Sequence, residues 1–320
     1  MTTAQQAIDM ALEAAVRAPS PFNAQPWLFE VDGATISLWL DRDRVLTVAD
    51  PEAREARLAC GAALCNLRVA LRARNRVGLT RLLPDPAERD LLATVRVAGE
   101  RKASDVDQQL ADAITKRHTN RHPFLERSVL PDARAKLAAA ARTEGAELVF
   151  VDASERYDTL VRLIRDAERA MENDGAYQHE IKRWLGGPAG RRDGIPTDAV
   201  GPTPLSGQLL ELRKYYRPNP LPPRLFEQQP LLVAVTTVGS GPRFDVVAGA
   251  GMQRTLLAGC TLGLSASFLS QPFEVAETRR ELVAEFRDAG EVHTLLRIGY
   301  GYPVGPTPRR PVADVMAPPE

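Results

Sequence analysis

Arg117, His118 and Arg121 fall within five positions of the stretch "KRHTNRHPF" (116–124), with the Thr119 hydroxyl between them. A phosphate monoester carries close to two negative charges and several acceptor oxygens, and forked guanidinium groups match that geometry. The same residues could instead form a solvated basic turn. His118 and His122 stand four apart and would share a face if helical, but no carboxylate or cysteine nearby completes a metal-ligand set. No metal is expected.

A second group lies in "RAPSPFNAQPWLF" (17–29). Pro19, Pro21 and Pro26 fix φ and remove amide donors, so Ser20, Asn23 and Gln25 have little conformational choice. Such a loop can present aimed hydrogen bonds to a planar heterocycle with carbonyl and imide edges. It can equally be a bend in which Asn23 tolerates an unusual backbone region and Trp27 enters the core. In "GLSASFLSQPFE" (263–274), small residues and hydroxyls, Ser270 and Gln271 among them, suit a flat ring against a strand or a plain buried strand. The Pro-rich "YGYPVGPTPRRPVADV" could carry Arg309 or Arg310 back to a distant anion, or be a polar tail.

The elements that must position these groups read as a mixed α/β layout. Apolar residues at helical spacing mark helices at 4–17, 52–74, 129 onward, 153–173, 246–262 and 274–287. Pro131 opens the third of these, with Leu130, Ala133, Leu137 and Ala141 on one face, and Ser104 is placed to cap another helix before "KRH". Strands are expected at 27–31 and 35–40 around the Asp32-Gly33 hairpin signal, at 77–83 and 91–97, and in "AELVFV", "PLLVAVTTV", "LSASFLS" and "VHTLLRIGY". The Gly- and Pro-dense segment 186–207 is longer than an ordinary connection and reads as a covering loop. Helices 52–74 and 246–262 both carry a Gly-Ala stretch, a cysteine and a Leu/Arg face, which hints at internal duplication.

Composition excludes several classes. In 320 residues, 44% apolar and 26% charged, 41 Lys and Arg balance 41 Asp and Glu, so no overall field draws the chain to nucleic acid or an anionic membrane. No apolar run approaches a membrane span, and the first residues pattern as an amphipathic helix rather than a signal peptide; a cytoplasmic protein is expected. Cys60, Cys65 and Cys260 form no CxxC and read as buried apolar fillers. There is no GxGxxG, no GxxxxGK[ST] and no Ser-His-Asp ordering.

Taken together, the four stretches resemble the nitroreductase family, FMN-dependent α+β flavoproteins that are normally homodimers with interfacial flavins. "KRHTNRHPF" is similar to the family's Arg-x-Ser-x-Arg/Lys phosphate motif through Arg117, Thr119 and Arg121, with His118 between them. "APSPFNAQPW" matches its x-P-S-x-x-N-x-Q-P-W stretch through Pro19, Ser20, Asn23, Gln25, Pro26 and Trp27. Arg309 resembles the basic residue that returns to the phosphate, and Ser270 with Gln271 the segment near the reactive edge of the ring. In the family, however, the phosphate motif precedes the Pro-Ser-Asn motif; here it follows by close to a hundred residues. A fused dimer accounts for that order and resembles the Acg-like subgroup of single-chain pseudo-dimers with a lid. The resemblance implies a nitroreductase-like fold in two tandem degenerate halves, 1–105 and 106–320, with a lid at about 175–225.

That arrangement implies one FMN per chain, because the mirror site lacks both motifs, and a monomer acting as an internal pseudo-dimer. The function it implies is electron transfer from NAD(P)H through FMN to a nitroaromatic or quinone-like small-molecule acceptor. The alternative is an FMN-storing protein whose lid, with Trp184, Arg191 and Arg192, covers a flavin that does not turn over.

Overall fold

A computed structural model of the chain describes residues 3–152, 155–186, 190–205, 213, 220–228 and 230–317. It opens with α1 (Ala4–Ala15), in which Ala7, Ile8, Ala11, Leu12 and Ala15 are buried and Thr3 forms a capping box with Gln6. Strands β1 (Trp27–Asp32) and β2 (Thr35–Leu40) follow as an antiparallel hairpin. Its two turn residues are Gly33 and Ala34, one position later than the Asp-Gly signal suggests. Gly33 takes φ +53° at the first central position, where a type II′ turn requires glycine. Next come α2 (Arg54–Ala73), β3 (Arg76–Leu82), β4 (Leu91–Glu100) and α3 (Asp105–Lys116), the last capped by Ser104 as its sequence indicates.

The same order then recurs. Helix α4 (Pro131–Thr143) leads to β5 (Glu147–Val151), an insertion holding α5 (Glu155–Asn173) and α6 (Gly175–Lys182), β6 (Leu231–Thr237), α7 (Pro242–Thr261) and β7 (Ser265–Phe268). Short α8 (Gln271–Glu274), α9 (Ala276–Glu285) and β8 (Glu291–Gly299) complete it. The two four-stranded antiparallel sheets have the orders β1-β2-β4-β3 and β5-β6-β8-β7, which are one order written twice. The chain is therefore an α+β protein built from two repeats.

Four local readings need correction. Helix α7 starts at Pro242, not 246, because Gly241-Pro242 is a helix start. The helix placed at 274–287 is split at Val275, whose extended backbone (ψ 122°) separates α8 from α9. Leu130 is 58% exposed, since it precedes the first turn of α4 instead of lying on its inner face. Cys60 and Cys65 are buried, but Cys260, at the end of α7, is half-buried.

Helices α2 and α7 share one core with both sheets: Ala59, Ala62, Leu67, Val246 and Met252 cluster with Ile36, Leu38, Val233 and Leu296. Their approach is reciprocal. A Cβ on Gly61 would lie 2.1 Å from the Val246 carbonyl oxygen, and one on Gly249 would lie 1.9 Å from that of Leu58. Each helix thus sets a glycine against the other's backbone, three residues after its own contacted carbonyl. Polar pairs lock the register, with Arg57 Nη2 2.7 Å from Asp245 Oδ2 and Gln253 Nε2 donating to Asn66 Oδ1 at 2.7 Å.

The repeats differ where the site is built. Residues 16–26 join α1 to β1, whereas only 144–146 join α4 to β5. Conversely, the β5–β6 connection carries α5, which packs Leu160, Val161 and Ile164 under the second sheet. That second layer explains why β6 is buried at every position and reads as an unbroken apolar run, while β2 alternates. Among the described residues no helix is long and apolar enough to cross a membrane.

Candidate functional site

The 16–26 loop is wound unusually tightly. Phe22, Asn23 and Gln25 have φ of 46°, 59° and 56°, the left-handed region that side chains with a Cβ rarely occupy. Ser20 Oγ accepts from the Gln25 amide at 2.9 Å and closes the turn, and Trp27 beyond it is fully buried. The bend reading is realised, since Trp27 enters the core, while only the first residues of the stretch, Pro19 to Phe22, face a cavity.

That cavity is partly open to solvent and mixes apolar and polar lining, as small-molecule sites do. Pro19, Ser20, Thr119, Arg121 and Ser270 all line it. Thr119 arrives on an extended segment that bridges to Ala266 of β7, with the Asn120 amide donating to the Ala266 carbonyl at 2.9 Å. Because the segment is extended rather than helical, His118 and His122 do not share a helix face. Arg121 Nη1 donates to the Ala199 carbonyl at 3.2 Å, tying the cavity wall to the connection that follows α6.

Arg117 and Arg309 are not in that wall, but the structure brings them together. Burial pulls the Arg117 guanidinium down to about 10. Burial, then the charges of Arg117 and Arg17, pull Arg309 down to about 9. His118 is lowered by burial and by the same three arginines. The Nε atoms of Arg117 and Arg309 are buried without a partner, and among the described residues no carboxylate pairs with Arg17, Arg117, Arg309 or His118. Two guanidinium groups, Arg117 and Arg309, held largely out of water without a counter-ion are costly. Arg117 is two residues from Thr119, about 7 Å along an extended chain, so the cluster lies beside the cavity.

Asn23 and Gln25 are not brought to the cavity. Asn23 Nδ2 donates to the carbonyls of Gly194 and Pro308, each at 2.9 Å. Gln25 Nε2 donates to the Arg192 carbonyl at 2.9 Å, and its Oε1 accepts from the Arg310 amide at 2.9 Å. These amides fasten two other segments, 192–194 and 308–310, to the loop. Arg44 adds an ion pair to Asp193 at 3.0 Å, and buried Glu180 accepts from the Val48 and Ala49 amides. The covering segment is thus stitched to the first repeat, with Val200, Pro202 and Arg213 reaching the cavity. Positions 187–189, 206–212 and 214–219 of the lid reading at about 175–225 lie outside the described residues.

Ser270 sits in a polar knot at the cavity edge. Its hydroxyl donates to Glu274 Oε1 at 2.8 Å and accepts from Arg213 Nη2 at 2.9 Å, while the Tyr177 hydroxyl donates to Glu274 Oε2 at 2.7 Å. Gln271, next in the chain, is 1% exposed with neither amide atom partnered. Sequence reasoning missed Arg17, Glu55 and Arg213. Arg17 stood in the quoted stretch but fell at the end of helix 4–17, and Glu55 lay within helix 52–74 with nothing to single it out. Nothing local marked Arg213.

No family model matches the chain. It is 31% identical over 320 residues to a Mycobacterium tuberculosis protein named "Putative NAD(P)H nitroreductase", covering 97% of this chain and 90% of that one. It is 27% identical over 317 residues to "Putative NAD(P)H nitroreductase acg" of the same organism, covering 97% and 95%. Among solved structures, a nitroreductase with bound FMN from Desulfitobacterium hafniense DCB-2 superposes with a TM-score of 0.41 at 16% identity, over 66% of this chain and 98% of that one.

Proposed function

The chain belongs to the nitroreductase family, and from that premise we propose that it is an FMN-dependent oxidoreductase passing electrons from NAD(P)H to a nitroaromatic or quinone-like acceptor. The observation that carries this reading is the cluster of buried Arg117 and Arg309 with exposed Arg17 beside them, which holds positive charge and two orphaned Nε donors that no anion among the described residues meets. A phosphate monoester supplies the missing charge and acceptors. Charge-assisted contacts of about 1.5–3 kcal/mol each would retain such a cofactor without a covalent bond.

The residues present fit FMN along its length. Arg17, Arg117 and Arg309 would hold the phosphate, with His118 beside them; Ser20 and Thr119 offer hydroxyls in the wall; Arg121 gives that wall a positive charge. Ser270 borders the same space from the second repeat, and the buried Gln271 amide, next in the chain, is unpartnered. Asn23 and Gln25 act by fixing the loop, not by touching the ring. When bound, FMN accepts hydride and delivers electrons to the acceptor; the protein orients, shields and supplies charge.

In this reading residues 1–105 and 106–320 are two degenerate halves whose complementary motifs build one site. The mirror position has only the 144–146 turn where the Pro-Ser-Asn loop would have to be, which supports one FMN per chain in a monomer. A flavin content near two per chain would refute it.

The stitched covering segment favours a second reading, in which the protein sequesters FMN without turnover. Anaerobic mixing with NADPH or NADH separates the two. Rapid bleaching supports the reductase; a flavin that stays oxidised with nicotinamide but bleaches with dithionite supports storage.

A further inference from the structure

Glu55, in the first turn of α2, lies in the cavity wall beside Leu58 and Ala59 and on the same cavity as Ser270 and Arg213. Carboxylates around this cavity are otherwise engaged. Glu274 takes bonds from Ser270, Tyr177 and Arg213, and Asp50 caps α2 by accepting from the Arg54 and Ala56 amides at 2.8 and 2.9 Å. Among the described residues, no hydrogen bond or ion pair takes up the Glu55 carboxyl. An acid on the wall of a cavity, with its oxygens uncommitted, is placed to exchange a proton with whatever occupies that cavity.

We propose that Glu55 is the acid that protonates the electron acceptor as hydride is delivered to it, an inference that rests on the reductase reading above. A quinone needs two electrons and two protons to become a hydroquinone. When bound, reduced FMN would supply both electrons and one proton as hydride, becoming oxidised, and a nicotinamide would restore it. The Glu55 O–H bond breaks, and its proton forms the second O–H bond on the acceptor oxygen. Glu55 is left as a carboxylate and regains its proton from solvent after product leaves.

The charges around Glu55 suit that task. Burial, Glu274 from α8 and Asp50 from the turn before α2 push its pKa well above the usual carboxylate range, opposed by Arg213 from the covering segment and Arg54 on α2. Arg121 stands on the same cavity from the 117–121 segment. Glu55 therefore retains its proton to higher pH than a surface carboxyl, while Arg213 and Arg54 steady the carboxylate that forms.

The test uses the FMN-loaded chain, reduced with dithionite and mixed anaerobically with a benzoquinone or with ferricyanide, a one-electron acceptor that takes no proton. In Glu55→Gln the quinone rate should fall about a hundredfold or more, the scale of general acid catalysis, with ferricyanide reoxidation within about twofold of wild type. Equal loss with both acceptors, or no loss with quinone, overturns the proposal. A second readout needs no cofactor: infrared spectra of the flavin-free chain should show an un-ionised carboxylic acid in addition to that of Asp50, which titrates at about 6, and this extra band should be lost in Glu55→Gln and kept in Glu274→Gln. If Glu55→Gln fails to hold flavin, this titration decides, and the absence of such a band in wild type overturns the assignment. Failure of the reductase reading looks different: reduced wild type would not be reoxidised by quinone at all.

Discussion

Replacing Arg309 by methionine should move two quantities in opposite directions. Methionine keeps much of the aliphatic volume and deletes the charge. Without an anion, the Arg309 guanidinium is pulled down to about 9 by burial and by Arg117 and Arg17. Against an ordinary value of roughly 12.5, at about 1.4 kcal/mol per tenfold change in proton affinity, housing this cation costs the flavin-free chain on the order of 4–5 kcal/mol. Solvent reaches part of the side chain, so that figure is an upper bound. Flavin-free Arg309→Met should therefore be more stable to urea than flavin-free wild type. Its FMN affinity, measured by quenching of flavin fluorescence, should drop by about 10- to 150-fold, one charge-assisted contact of about 1.5–3 kcal/mol. The pH dependence follows the same sign. Folded Arg309 binds fewer protons than the unfolded residue above about pH 9, so wild-type stability gains a rising contribution there that the variant lacks. A less stable flavin-free variant with unchanged FMN affinity would show that Arg309 is structural and that the cluster is not a phosphate site.

Three further outcomes are expected. Gly249→Ala places a Cβ 1.9 Å from the Leu58 carbonyl oxygen and should destabilise the chain by about 1–3 kcal/mol or more in chemical denaturation, by forcing α2 and α7 apart. Asn23→Ala with Gln25→Ala removes the bonds to Gly194, Pro308, Arg192 and Arg310, each worth about 1 kcal/mol; faster flavin release and faster proteolysis within 186–205 should follow, while unchanged release would show that these amides do not hold the cover. Burial pushes Asp50 up to about 6, so the folded chain keeps a proton that the unfolded one surrenders from about pH 4. Stability should consequently fall as pH rises through that window, and Asp50→Asn should flatten the fall in thermal melts.

Much of this architecture was legible because one-dimensional patterns drive it. The 3.6-residue spacing in α1 and α2, the alternation in β2 and the Ser104 cap are local, and they hold. The similarity of α2 and α7 was legible as composition; only the packed helices show that Gly61 and Gly249 each meet the other's backbone. The boundaries that slipped, at α7 and between α8 and α9, turn on Pro242 and Val275, where the local backbone overrides a periodic window. At the site, residue types were readable but addresses were not. Nothing in "PFNAQPW" reveals that Asn23 and Gln25 spend their amides on 192–194 and 308–310, because those partners lie far along the chain. Arg17 was passed over for the same reason, since a lone charge at a helix end acquires meaning only when two distant guanidinium groups arrive beside it.

The contrast between the eleven-residue connection 16–26 and the three-residue turn 144–146 bears on what the protein is free to become. In a two-fold assembly of identical subunits, any substitution enters both sites at once and neither can change alone. Here Glu55 can suit one wall of one cavity, while the corresponding stretch of α7 is free to carry different groups. The foreshortened turn also makes the asymmetry hard to reverse, because restoring a second loop would take an insertion of several residues rather than a single exchange. In the one-site arrangement proposed above, a difference in loop length would thus act as a ratchet: one side would be released from binding and could be spent on cover and support for the other.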